Sequence, residues 1–273
     1  MYLQKYAPSP ALRSWVRSIQ VFELETGSVP MFVPAWARFS LVFQYGDLFS
    51  FQRRDGQIVP TTLAGVTGPL TEPLRLAGES PVSIKMIGVH LQPMAAFELF
   101  GEAAGEVINR ATSMADLRPR VETGRVTEAL HETEGDLARL AVIESYLLSL
   151  FGDAGRSGSS VAQAALHAIH ESGGRVNMKQ LSRSLGISDR HLRREFGRTL
   201  GLAPKKYAQM LRVEGVINRL YARNNEETLA LVAQDFNYHD EPHMINDVKR
   251  HTLLSPGEMI ATGALDWLKL YLM

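Results

Sequence analysis

The spacing of apolar residues differs between the two halves of the chain. In the first half the period is two, and alternating apolar side chains predict a strand with one buried face at 39–45. Further strands are predicted at 58–63, 69–77 and 82–91. Two hairpin turns are predicted, at Gly46-Asp47 and Asp55-Gly56. This pattern predicts a β-rich N-terminal domain that is a small barrel or sandwich.

Helical spacing occurs on both sides of these strands. A first helix is predicted to begin at Ser9-Pro10, from the spacing of Leu12, Trp15, Val16 and Ile19. Four further helices are predicted after the strands, at 94–100, 114–117, 121–131 and 136–151. The last has a broad apolar stripe that must be covered, either by the core of the β domain or by its copy in a dimer.

The stretch from Asn177 to Phe196 predicts two short helices joined by a tight turn. Asn177 is placed to cap the first helix, Gly186 lies just past its end, and Ser188 is placed to cap the second. On the second helix one face is apolar and the other carries four arginines, Arg190, Arg193, Arg194 and Arg198. Guanidinium groups on a rigid helix suit the phosphates and base edges of a DNA groove.

A second copy of this pattern follows about fifty residues later. Leu185-Gly186-Ile187 aligns with Phe236-Asn237-Tyr238. After a one-residue insertion at His239, each core or turn residue of the first unit has a counterpart: Leu192 and Met244, Phe196 and Val248, Gly201 and Leu253, Pro204 and Pro256, Tyr207 and Met259. Two such units predict a tandem arrangement that contacts successive stretches of one DNA face.

Composition and charge refine this division. The net charge is zero, but residues 175–223 carry 12 basic and 3 acidic residues, whereas 224–262 carry 2 basic and 7 acidic ones. Attraction to phosphate is therefore expected mainly in the first unit. The chain has no cysteine, no leader and no apolar run of about eighteen residues, so we expect a soluble, cytoplasmic protein without disulfides or a membrane span.

The whole pattern predicts an α+β protein of two domains. We place a β-rich domain with trailing helices at 1–151, a linker at 152–160 and a helical domain at 161–273. The helical domain contains a long helix at 203–221 and a last helix that begins at Ser255-Pro256. Its apolar tail, 264–273, is expected to pack on the protein's own surface.

The helical domain resembles the DNA-binding domain of the AraC/XylS family of bacterial transcription regulators. In the first unit the resemblance rests on Leu181, Leu185-Gly186-Ile187-Ser188, Leu192, Arg194, Phe196, Gly201, Pro204, Tyr207 and Arg212. In the second it rests on Ala233, Tyr238, Asp240, His243, Lys249-Arg250 and Ser255-Pro256. The resemblance implies two helix-turn-helix units joined by a long helix, with both recognition helices in successive major-groove segments of double-stranded DNA.

The resemblance also implies roles for individual residues. Arg190, Arg193 and Arg194 would face the bases, with His191 on the same helix, whereas Arg198 and Lys205 or Lys206 would contact phosphate. The second unit departs from the family pattern, with Asn237 in the turn, Asn246 on the recognition helix and Asp247 beside it. Glu241 and Asp247 are expected to repel phosphate. The candidate DNA contacts of the second unit are therefore His243, Asn246, Lys249 and Arg250.

The N-terminal part, from residue 1 to about 110, resembles the cupin-like sensor domains found ahead of this module. Such domains usually bind a small effector or carry the dimer contact. The candidate effector site is an aromatic pocket of Trp36, Phe39, Phe43 and Tyr45, and the alternative is that these residues form the core, as alternating aromatics more often do. His90 is the only histidine before His131, so neither a metal centre nor a cofactor is expected.

Two other functions remain as alternatives. In the first, the acidic second unit binds a protein such as RNA polymerase rather than DNA. In the second, the β domain is a cupin-type enzyme with a helical accessory. The sequence contains no paired carboxylates beside a histidine, no nucleophile motif and no phosphate loop, which disfavours the enzyme.

Overall fold

The computed structural model describes residues 2–25, 32–78, 81–117, 122–152, 158–222, 227–262, 264–265 and 268. Most of the predicted linker and most of the predicted apolar tail lie outside these residues. Antiparallel sheets form the first domain and helices form the second, as the sequence predicts. Among the described helices, none combines the length and the apolar character that a membrane-spanning helix requires.

The β domain is a sandwich of two antiparallel sheets. Its strands are β1 (Tyr2–Tyr6), β2 (Val16–Glu25), β3 (Phe32–Val33), β4 (Ser40–Gln44), β5 (Ser50–Gln52), β6 (Ile58–Pro60), β7 (Ala64–Thr67), β8 (Leu74–Ala77), β9 (Ser83–Leu91) and β10 (Ala111–Ser113). The large sheet has the order β1-β2-β9-β4-β7-β10, and the small sheet has the order β3-β8-β5-β6.

Both faces of the large sheet are covered, by different partners. Side chains at odd positions of the central strands, such as Leu41 and Val89, lie in the main core with the helices. Even positions, such as Val42 and Gly88, face the small sheet across a cavity. Because strand side chains alternate, a one-residue shift of register would exchange these two environments.

Two local predictions for the β domain are wrong. The predicted helix at 12–19 is a 3-10 turn, Pro10–Leu12, followed by strand β2, which pairs with β1 on one side and β9 on the other. Residues 46–47 do not form a hairpin turn, since β4 and β5 belong to different sheets. A Cβ on Gly46 would overlap the Ser83 carbonyl oxygen, so glycine permits this close crossing. Residues 55–56 do lie in a hairpin, between β5 and β6.

The helices follow the sequence prediction closely. They are α1 (Ala95–Phe100), α2 (Met114–Leu117), α3 (Gly124–Glu132), α4 (Asp136–Gly152), α5 (Ser160–Glu171), α6 (Met178–Ser184), α7 (Asp189–Leu200), α8 (Pro204–Ala222), α9 (Leu229–Asp235), α10 (Glu241–Thr252) and α11 (Pro256–Thr262). A 3-10 helix, Gly101–Val107, follows α1. One stripe of α4 completes the core of the β domain, where Phe151 stacks on Trp15 at 4.9 Å between ring centroids. Leu137 and Leu148 on its other side are exposed.

The tandem repeat is present in three dimensions. Gly186 and Asn237 occupy equivalent turns with φ of 67° and 54°, so asparagine adopts the left-handed conformation expected of it. The caps are also equivalent: the Ser188 side chain accepts the His191 N–H, and the Asp240 side chain accepts the His243 N–H. The two units are thus built by the same local interactions.

A short segment of the β domain, residues 32–38, fixes the helical domain in place. Arg38 donates a hydrogen bond to Glu214 of α8 at 2.9 Å, and both side chains are 8% exposed. The other Glu214 oxygen accepts the Ala37 N–H at 3.0 Å, and the Ala35 N–H donates to the His251 carbonyl at 2.7 Å. Phe32 lies in the apolar core of the second unit. The segment therefore connects the β domain to α8 and α10 together.

The turn at Asn237 generates a stability prediction. Asn237→Ala should lower the free energy of unfolding by about 1 kcal/mol, because alanine lacks the side-chain amide that eases a left-handed backbone. Asn237→Gly should be neutral or stabilising. Urea denaturation measures both, with Gly186→Ala as the matched change in the first unit. An Ala variant as stable as the Gly variant would contradict this account of the turn.

Candidate nucleic-acid interface and ligand cavity

The first recognition helix, α7, holds its arginines on a rigid support. Leu192 and Phe196 are fully buried on one side, and Arg190, Arg193 and Arg194 are exposed on the other. Among the described residues, Arg190 has no ion-pair partner, and the Arg193 Nε donates only to a carbonyl of its own helix, that of Asp189, at 3.3 Å. These two guanidinium groups are available to an external acceptor.

The other basic residues predicted near α7 have protein partners. Arg194 donates to Glu195 at 3.2 Å and lies 3.0 Å from His191. Arg198 donates to Glu195 at 3.1 Å and lies 3.7 Å from Glu102, which belongs to the 3-10 helix of the β domain. No pattern in the sequence links Glu102 to Arg198, because 96 residues separate them.

Two lysines stand at the start of α8. Lys205 is exposed, whereas Lys206 is half-buried. Burial and, next, the charge of Arg250 lower the pKa of the Lys206 amine. The effect of the Arg250 charge on Lys206 indicates that the two units come close together at this point. Lys205 is therefore the more accessible of the two candidate phosphate contacts.

The second recognition helix, α10, presents a different surface. His243, Asn246, Lys249 and Arg250 are exposed, as a DNA contact requires. By the repeat offset, Pro242 and Ile245 stand where the first unit has Arg190 and Arg193, and Asn246 corresponds to Arg194. The second helix therefore lacks the two available guanidinium groups of the first.

The expected repulsion of phosphate by Asp247 is wrong, because this side chain is buried. Its carboxylate accepts hydrogen bonds from Gln209 at 2.9 Å and from Arg212 at 3.3 Å, and it pairs with Arg250 at 3.5 Å. The Arg212 guanidinium also lies 4.0 Å from the ring centre of Tyr238. Asp247 thus ties α10 to α8 and contributes no free negative charge to the surface.

A cavity of about 110 Å³ lies between the two sheets of the β domain. Its lining is mainly apolar and includes Phe22, Val42, Phe49, Leu70 and Met86. It lies on the face of the large sheet that is opposite the helices. This is the environment of a small-molecule site, in which apolar walls exclude water.

Of the predicted aromatic pocket, only Trp36 lines this cavity. Phe39, Phe43 and Tyr45 lie in the main core on the other side of the large sheet. The Tyr45 hydroxyl donates to Glu23 at 2.9 Å, and Arg139 lies 4.3 Å from the centre of its ring. The sequence pattern correctly indicates one buried aromatic face, but it does not distinguish the core from a cavity.

His90 is the most perturbed group that lines the cavity. Its Nδ1 is 2.8 Å from the Ser40 hydroxyl. Burial, aided by the charges of Arg38, Lys5 and Arg17, lowers the pKa of His90 to about 3. The side chain is therefore neutral at physiological pH. Within the described ranges, no group of three or more His, Asp or Glu side chains is arranged to hold a metal ion.

Comparisons with known proteins agree with the two-domain division. A family described as a helix-turn-helix domain matches residues 181–262, and a family described as a domain of unknown function (DUF6597) matches residues 4–113. The structure of ToxT from Vibrio cholerae is similar over 96% of this chain and 98% of ToxT, with a TM-score of 0.51 and 8% identity. Wild-type ToxT from strain SCE256 with a bound unsaturated fatty acid is similar over 93% of this chain and 95% of ToxT, with the same score and identity. No curated protein matches the sequence.

The tandem units, the long helix between them and the sandwich ahead of them define a DNA-binding regulator of transcription. The helix-turn-helix match covers both units from Leu181 onward, and the residues that carry the family pattern occupy equivalent positions in both. Residues 181–262 therefore form a helix-turn-helix domain of the matching family, and the chain as a whole has the fold of ToxT.

The low pKa of His90 generates a prediction about acid stability. The folded-state pKa of about 3 lies below the ordinary value of 6.5, so the unfolded chain takes up a proton that the folded chain refuses. The contribution of His90 to the free energy of unfolding is therefore fully present above pH 6.5, and it is lost as the pH falls toward 3. Compared with His90→Gln, the wild type should lose roughly 2.5 kcal/mol more of its free energy of unfolding between pH 7 and 4.5. Chemical denaturation at each pH tests this, and a constant difference between the two proteins would contradict it.

Proposed function

We propose that the first unit provides most of the base specificity and that a small molecule in the sandwich cavity regulates DNA binding. The observation that carries the first part is the pair of available guanidinium groups, Arg190 and Arg193, on a buried support. Arg194 assists them, and Arg198 and Lys205 hold phosphate. Arginine makes two hydrogen bonds to a guanine edge, which is the commonest specific contact in a major groove.

The second unit contributes more to the placement of the protein on DNA than to recognition of the base sequence. Asn246 is its candidate base contact, since asparagine can make two hydrogen bonds to adenine. His243, Lys249 and Arg250 supply polar and basic groups around it. The alternative in which this unit binds a protein instead of DNA depended on its acidic character, and the burial of Asp247 weakens that argument.

A cavity ligand is linked to the DNA-binding domain through residues 32–38. Val33 and Trp36 line the cavity, whereas Ala37 and Arg38 bind Glu214 of α8. A ligand that moves Val33 and Trp36 must therefore also shift Ala37 and Arg38 and alter their hydrogen bonds to Glu214. That shift changes the position of α8 and α10. ToxT, which has the same fold, is known with a bound fatty acid, and this supports a small-molecule effector.

Further partners belong to the same proposal. Leu137, Ala141 and Leu148 follow helical spacing on the exposed side of α4, which suits a homodimer contact. Contact with RNA polymerase is a second candidate for a regulator bound at a promoter. We place the protein in the bacterial cytoplasm, where its DNA target is, and assign it no catalytic role.

The base contacts are tested by the ratio of specific to non-specific affinity. Operator fragments from genome-wide footprinting and random DNA are compared in gel-shift titrations. Arg190→Ala and Arg193→Ala should each weaken operator binding by about 1 to 3 kcal/mol while affecting random DNA less. Lys205→Ala, the matched control, should weaken both alike and make the salt dependence less steep. An unchanged ratio in the two arginine variants would show that the assigned face is wrong.

The ion pair between Glu102 and Arg198 generates a prediction about inhibition by the β domain. Glu102 competes with phosphate for Arg198, so Glu102→Gln should tighten binding to any DNA, by up to about 5-fold for an exposed pair. Glu106→Gln removes the same charge from the same 3-10 helix, at a residue without an ion pair in the described structure. Equal effects of both substitutions would mean that only net charge matters.

A further inference from the structure

The cavity is long in one direction. Its lining includes Leu3 on β1 and Ala111 on β10, which are the two edge strands of the large sheet. Because neighbouring strands lie about 4.8 Å apart, five spacings place these two strands roughly 24 Å apart across the sheet. The space therefore resembles a slot that crosses the sheet, and an extended molecule fits it better than a compact one.

One glycine leaves room in the middle of this slot. Gly88 lies on β9 between Gln20 and Val42 of the adjoining strands, and a Cβ placed on it meets no atom within 4 Å. Glycine weakens a strand interior, and its presence there is typical of a site that a ligand approaches closely. Its φ is not positive, so a larger residue fits the backbone and would occupy the slot.

The charge along the slot has one sign. Arg110 is the only charged residue among those that line it in the described structure, and it lies beside Ala111 at the β10 end. Arg110 is exposed and has no ion pair with a described residue. Arg38, Lys5 and Arg17 act on His90 with the same sign and help to keep it neutral. Arg38 is neutralised by Glu214, so the free positive charge at the slot is that of Arg110, which would repel a bound cation and attract an anion.

We propose that the slot binds an extended, mainly apolar molecule with one acidic head group, such as a carboxylate. The head group lies at Arg110, and the apolar body crosses the sheet past Gly88 toward Leu3. This inference rests on the proposed function, since it names the chemistry of the effector that would occupy the same cavity. It also makes Arg110 the residue that determines head-group specificity.

The lining argues against the other common classes of effector. A sugar carries many hydroxyl groups, whereas most of the cavity wall is apolar. Gln44 Oε1, Thr62 Oγ1 and His90 Nε2 are lining atoms with no hydrogen-bond partner in the described structure, and so few groups would leave most hydroxyls of a sugar unsatisfied. An amine would meet positive charges and no carboxylate among the described lining residues. A neutral alcohol of the same length would gain the apolar contacts but lose the attraction at Arg110.

Three ten-carbon probes that differ only in head group test the proposal on the full-length protein. Isothermal titration calorimetry compares decanoate, 1-decanol and decylamine below their aggregation concentrations. Decanoate should bind about 10-fold more tightly than decanol, and decylamine should bind most weakly. Arg110→Gln should reduce decanoate to the affinity of decanol without changing decanol. Arg75→Gln, which removes an exposed charge outside the lining, is the matched control and should change nothing.

The location is tested by filling the slot. Gly88→Val should abolish binding of both decanoate and decanol while the protein keeps its thermal transition, and Gly88→Ala, a smaller change, should weaken both if the valine variant does not fold. Equal affinity for the three probes, or no effect of Arg110→Gln, would overturn the proposed ligand class. Wild-type affinity in the Gly88 variants would overturn the site. Neither result depends on the DNA titrations of the Arg190 and Arg193 variants. A failure of the proposed base recognition is therefore distinguishable from a failure of the proposed ligand site.

Discussion

The arrangement of the two domains depends on a buried ion pair between Arg38 and Glu214. Removing two charges from water is costly, and such a pair is tolerated only when its remaining polar atoms are also satisfied. Here the second Glu214 oxygen accepts the Ala37 N–H, so the carboxylate is bonded through both oxygens. Hydrogen bonds require a defined geometry, whereas apolar contacts alone would allow α8 to slide over the β domain. The pair therefore fixes the position of α8 on the β domain.

This position brings together parts of the molecule that have different tasks. The segment 32–38 lies between the cavity and the second helix-turn-helix unit, and it contacts both. On the other side, Glu102 of the β domain reaches Arg198 of the first unit. Both DNA-binding units are thus in contact with the domain that holds the cavity. Residues 32–38 give a change in the cavity a direct physical route to the second unit, whereas Glu102 joins the β domain to the first unit away from the cavity lining.

The two units share a scaffold and differ in surface chemistry. Their caps, left-handed turns and buried positions correspond residue by residue. Their exposed positions do not, since Pro242 and Ile245 replace two arginines, and Asp247 is used to hold α10 on α8. The scaffold is determined by local packing, while the surface is free to diverge. One unit can therefore specialise in base contacts and the other in placement.

The sequence alone determined the helical domain because its signals are local. Caps act over three or four residues, apolar spacing repeats every turn, and Asn237 tolerates the same backbone as Gly186. The presence of a sandwich was also predictable from alternation. Tertiary structure decided what depends on distant partners. Residues 16–19 form a strand because β1 and β9 pair with it, and Phe43 faces the core because the helices cover that side of the sheet. Asp247 is neutralised by Arg212, 35 residues away, and the slot exists only where two sheets meet. Such contacts leave no periodic trace, because the residues that form them are brought together only by the folded chain.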